Sequence, residues 1–102
     1  MAQTLHNAST CPGNGKVVNV ETGNRTVTLS VAGTGAVSFS AQLFRKESGC
    51  IGGPVGDILT GIGTDSATTA YTFSSDKSDM WLQLISLSSA STFTASVEDA
   101  GV

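Results

Sequence analysis

The stretch Asp79-Met80-Trp81-Leu82-Gln83-Leu84-Ile85-Ser86 is the densest apolar run in the chain and carries its single Trp. Successive side chains of a strand point to opposite faces. Met80, Leu82 and Leu84 therefore share one side, and Trp81, Gln83 and Ile85 the other. The first set is uniformly apolar and suits a core. The second is large, mostly apolar and interrupted by one amide. A strand with one wet face reads apolar-in and polar-out, and this one does not. Either both faces are buried within one chain, or the Trp81/Ile85 face meets another chain. The second option is preferred, because the other strand-like runs alternate apolar residues with Ser and Thr.

Those runs set the fold class. Gln3 to Ala8 reads as a short first strand or arm, followed by a turn over 7–16 built on Pro12, Gly13, Asn14 and Gly15. Val17, Val18 and Val20 make a short strand. Arg25 to Ala32 puts Val27, Leu29 and Val31 on one face and Thr26, Thr28 and Ser30 on the other. Gly33-Thr34-Gly35 reads as a hairpin-like connection. It leads to the longest alternating run, Ala36 to Arg45, with Val37, Phe39, Ala41 and Leu43 inward and Ser38, Ser40, Gln42 and Phe44 outward. Residues 46–49 are a charged loop. Residues 50–63 are an irregular Gly-rich loop with a short strand around Asp57 to Ile62, and 64–68 a polar loop. Thr69 to Ser74 is a strand with Tyr71 and Phe73 on one face. Leu87 to Ala90 is the last hairpin turn, and Ser91 to Val97 closes with Phe93, Ala95 and Val97 inward. No segment carries a helical period. Strand signals about every 8–12 residues predict one all-β domain over 1–102, an antiparallel β-sandwich or jelly roll of seven or eight strands. Residues 1–8 would be an N-terminal arm or edge strand, and 98–102 a tail.

Composition narrows the partners. Only 13% of residues are charged, 39% are hydrophobic and the net charge is −3. With no basic cluster, a nucleic-acid backbone is not an expected partner. So few charges leave a surface of hydroxyl, amide and glycine, where lone soluble domains carry more charge; this favours assembly. The first residues have neither a basic nor an apolar signal region, so no signal peptide is expected, and no run is long enough to span a membrane. The two cysteines, Cys11 and Cys50, are read as reduced thiols, with a Cys11–Cys50 disulfide as the alternative.

Chemistry-bearing residues are sparse. The single histidine, His6, is expected to be an ordinary solvated residue in the arm. No Ser/His/Asp or Cys/His pair can be argued, and two cysteines with one histidine fall short of a structural zinc set. The carboxylates fall in turns or the tail, where cap roles prevail. No Gly-rich phosphate cradle is present. No catalytic residue, cofactor or metal is expected. Trp81, with Phe44 as a second outward aromatic, could stack on a sugar ring, but core or subunit contact is the favoured role.

Several segments together resemble a group of small tailed-bacteriophage and prophage virion proteins of the capsid-decoration, or head-cement, type. They are Leu5-His6-Asn7-Ala8-Ser9-Thr10, Gly13-Asn14-Gly15-Lys16-Val17-Val18-Asn19-Val20, Arg25-Thr26-Val27-Thr28-Leu29-Ser30-Val31-Ala32-Gly33-Thr34 and Val37-Ser38-Phe39-Ser40. The resemblance covers roughly the first 45 residues; beyond them it rests on strand order. Where similar proteins carry a loop with Asp-Gly and Trp, this chain has Cys50-Ile51-Gly52-Gly53-Pro54. The resemblance implies a non-enzymatic virion component, made in the host cytoplasm and placed on the capsid surface, a homotrimer whose other partner is the major capsid protein. Trp81, Gln83, Ile85, Phe44 and Leu5 are the expected subunit or capsid contacts. The alternatives are a tail, neck or fibre protein and, from another class, a carbohydrate-binding or adhesin-like module.

Overall fold

A computed structural model describes residues 3–46, 53–75 and 78–99. Among the described residues there are seven strands and no helix: β1 (Gln3–Ser9), β2 (Gly13–Asn14), β3 (Val18–Val20), β4 (Gly23–Arg45), β5 (Gly53–Ser75), β6 (Ser78–Leu87) and β7 (Thr92–Asp99). All pairings are antiparallel. The strands form one sheet curled into a half-barrel, where the spacing of strand signals had predicted a two-layered sandwich or jelly roll.

The curl is made by a long hairpin that bends in the middle. β4 pairs with β5 along its whole length, from Gly23↔Ser75 to Arg45↔Gly53. Its other edge is shared: Arg25 to Ala32 pair with β7, and Phe39 to Arg45 pair with β6. The two partners meet β4 on either side of Gly33-Thr34-Gly35. That segment is therefore a corner within one strand and not a hairpin turn, and the β4–β5 register shifts between Ala32 and Ala36. Gly35 has φ +80° and Asp65, across the corner, φ +64°. The Gly35 amide donates to Asp65 Oδ1 at 2.7 Å, which pins the bend.

Two further expectations are corrected. The Gly-rich and polar loops over 50–68 are, from Gly53 onward, part of β5, because they have β4 to pair with over its full length. The segment after Leu87 is not a hairpin turn: β6 and β7 do not pair with each other, and the chain crosses from one half of the sheet to the other. Ser88 anchors that crossing. Its amide donates to the Ser38 carbonyl and its Oγ accepts the Ser38 amide, both at 3.0 Å.

The concave side holds the core expected from the alternation. Val27, Leu29 and Val31 of one half face Val37, Phe39, Ala41 and Leu43 of the other, with Met80, Leu82, Leu84, Phe93 and Val97 between them, all buried. Phe93 lies at its centre, its ring 5.0 Å from that of Phe39. Tyr71, expected inside, is only half-buried at the β5 edge, where it stacks on Phe73.

Candidate interaction face

The first element, β1, holds two surprises. Leu5 was expected to reach a neighbour. It is 1% exposed and belongs to the core of its own chain. His6 was expected in solvent, yet its ring is buried, edge-on to Phe93 at 5.2 Å. Its Nε2 bonds the Leu82 carbonyl at 2.8 Å, so that nitrogen carries the proton, and Nδ1 accepts the Ser9 hydroxyl at 2.9 Å. The same Leu82 carbonyl takes the Gly15 amide, and the Leu5 carbonyl takes the Lys16 amide. Together these bonds stitch β1 to β6 through residues 15–16. β1 is thus a docked edge strand, held where the sheet lacks a ladder. A Cβ on Gly15 would run into the Leu5 carbonyl, so this close approach needs glycine. An open recess of about 450 Å³ borders β1 and residues 14–16, but both nitrogens of the imidazole at its side are already bonded. Among the described residues no three His, Cys, Asp or Glu side chains lie together. Cys11 is exposed with a free thiol, and Cys50 lies outside the described residues.

The convex side of the half formed by β6, the second part of β4 and the first part of β5 has a different character. Trp81 pairs across the sheet with Phe44, and their rings stack at 5.8 Å with planes 9° apart. Both are half-buried. Gln83 is exposed beside them, opposite Gln42. Ile85 is 41% exposed; it is the extra residue of a bulge where the β4–β6 register steps from Ser40↔Ser86 to Ala41↔Leu84. The sheet thus brings Trp81, Gln83, Ile85 and Phe44 to one face, as the period of two required, and leaves Leu5 on the other side.

The same face continues onto β5, where sequence reasoning had missed it. Ile58 is 54% exposed and Ile62 84% exposed. A strand signal around Asp57 to Ile62 was present in the alternation Ile58-Leu59-Thr60-Gly61-Ile62, but Gly61, on its inward side, broke the apolar period. Gly61 is needed there because Phe39 packs directly over it. The outcome is a sheet face with one stacked aromatic pair, three exposed isoleucines and two amides.

No family model matches this chain, and no curated protein matches it. Its fold is similar to that of the SPBc2 prophage-derived protein YomS, known from a crystal structure. The two agree with a TM-score of 0.61 over 95% of this chain and 89% of that one. Their sequences are 14% identical, so the likeness is one of fold.

Proposed function

We propose that this chain is a structural protein of a tailed-bacteriophage virion, a capsid-decoration protein that binds the assembled head. The observation that carries the proposal is the Trp81/Phe44 face. Large apolar side chains stand there on a hydrogen-bonded sheet, on a chain whose fold is that of a prophage-derived protein. Aromatic residues ordered in advance lose little entropy on binding and dominate interface energetics. In this reading Trp81, Phe44, Gln83 and Ile85 form the contact between subunits of a trimer or with the major capsid protein. The action is adhesive and involves no bond-making step. A ligand that binds only the assembled shell stabilises it by about 2.7 kcal/mol at a hundred times its Kd. The protein would be made in the host cytoplasm and work on the capsid surface.

The experiment is cosedimentation of purified protein with capsids, together with its own oligomeric state. Wild type should bind capsids, and Trp81→Ala should lose most of that binding while remaining folded. A stable monomer with no affinity for capsids defeats the proposal. Electron microscopy of virions separates the head from a tail, neck or fibre position. A second reading has a specific observation in its favour: the near-parallel Trp81 and Phe44 rings, flanked by Gln42 and Gln83, form a platform of the kind that stacks on sugars. A glycan array without binding removes it.

A further inference from the structure

Asn14 is followed by Gly15, and none of the chain's other asparagines precedes a glycine. Asparagine is a thermolabile residue. A following glycine makes it most so, because no Cβ keeps the next main-chain nitrogen away from the side-chain carbonyl. The fold itself demands this glycine, since the Leu5 carbonyl leaves no room for a Cβ at position 15. Asn14 is exposed and lines the open recess beside β1 together with Gly15 and Lys16, so water reaches it.

Two features hold the reaction off. Asn14 lies in β2, paired with Gln83, and an extended backbone keeps the next nitrogen out of line with the side-chain carbonyl. The Gly15 amide must lose its proton to attack, and that proton is held in a bond to the Leu82 carbonyl at 2.9 Å. The same carbonyl takes His6 Nε2, and the neighbouring Lys16 amide bonds the Leu5 carbonyl. Attack therefore waits for the stitch between β1 and β6 to open, and its rate falls with the fraction of time spent open.

We propose that Asn14–Gly15 is a site of spontaneous deamidation, guarded by the β1 stitch, and that its isoaspartate product keeps β1 released. The Gly15 nitrogen bonds Asn14 Cγ and gives its proton to solvent. The side-chain nitrogen takes a proton from water and leaves as ammonia. The succinimide ring so formed adds water and opens to aspartate or to isoaspartate. In isoaspartate the main chain runs through Cβ, one carbon longer, and a carboxylate hangs from Cα. The added length takes the Gly15 amide off the Leu82 carbonyl, and the new negative charge stands near carbonyl oxygens that have lost their donors. The stitch then cannot close again, and β1 is left on its ladder to β7. This chemistry is independent of what the Trp81 face binds.

The test incubates the full chain in mildly alkaline buffer and follows Asn14 by peptide mapping, in which chromatography and mass spectrometry separate the asparagine, aspartate and isoaspartate forms. Wild type should convert at Asn14 before any other asparagine, and at least about tenfold more slowly than the same chain unfolded in urea. His6→Ala, which removes the ring's bond to Leu82, should convert at least about tenfold faster than wild type. Gly61→Ala is destabilised at Phe39 with the stitch intact, and should stay within about twofold of wild type. The isoaspartate form, separated from the mixture, should lose at least about tenfold of its hydrogen-exchange protection at the Lys16 amide. Wild-type conversion as fast as in urea, or His6→Ala conversion at the wild-type rate, overturns the proposal, because the stitch is then no guard. Equal acceleration by Gly61→Ala assigns the opening to global unfolding and overturns it as well. Full protection of Lys16 in the isoaspartate form overturns the release of β1.

Discussion

Replacing His6 tests how β1 is held. His6→Ala removes the bonds to Leu82 and Ser9 and the edge-on contact with Phe93. Each hydrogen bond contributes about 0.5–1.5 kcal/mol, and the ring contact a similar amount. The expected loss is therefore about 2–4 kcal/mol, a fall in Tm of about 10–20 °C for a domain of this length. His6→Phe keeps a ring against Phe93. It leaves the Leu82 carbonyl bonded to the Gly15 amide, so no buried acceptor is orphaned, and the cost should be about half as large. Urea unfolding followed by Trp81 fluorescence measures both variants, and hydrogen exchange at the Gly15 and Lys16 amides reports whether the stitch to β6 opens first. A His6→Ala protein within about 0.5 kcal/mol of wild type would refute the reasoning, because a clamped ring with two bonds cannot be removed so cheaply.

Other perturbations act on different parts of the fold. Phe93→Ala should cost about 3–5 kcal/mol in chemical denaturation, since Phe93 is fully buried between Phe39 and His6. Gly61→Ala should be destabilising by about 1–3 kcal/mol, because the added methyl meets the Phe39 ring. Asp65→Ala strips the corner of its bond to the Gly35 amide and should cost about 1 kcal/mol, while Asp65→Asn, which keeps an acceptor and tolerates positive φ, should stay close to wild type.

The inward face of the sheet could be read from the alternation alone. Val27, Leu29 and Val31, and equally Met80, Leu82 and Leu84, are buried because a period of two is a local property. The outward set Trp81, Gln83, Ile85 and Phe44 was legible for the same reason, although the Trp81–Phe44 stack depends on a register that no local pattern encodes. What the chain does at Gly33-Thr34-Gly35 was not legible. Glycines that permit a hairpin also permit a corner, and the choice is made by residues 64–66 lying opposite, remote in sequence. His6 was misread on similar grounds: its acceptor, Leu82, is 76 positions away.

The corner also divides the convex surface into two chemistries. Before it, β4 presents Thr26, Thr28 and Ser30, and its neighbours continue the hydroxyl layer with Thr68, Thr72, Thr92 and Thr94. Thr26 and Thr72 satisfy each other at 3.1 Å, as expected of a surface that faces water. Beyond the corner the same strand carries Phe44 near its end, beside Trp81, and Ile58, Ile62 and Ile85 are exposed on the same half. One continuous strand thus carries an inert outer face on one half and an apolar one on the other. If low charge alone drove assembly, both halves would be equally suited to contact. In the proposed assembly, contact belongs on the half with apolar area to bury, since transfer from water yields about 25 cal/mol per Å² for apolar surface and nothing comparable for hydroxyls that water already satisfies. Substitutions on the threonine half, such as Thr28→Lys, should therefore leave every association described above intact, and capsid binding lost by that variant would contradict the division.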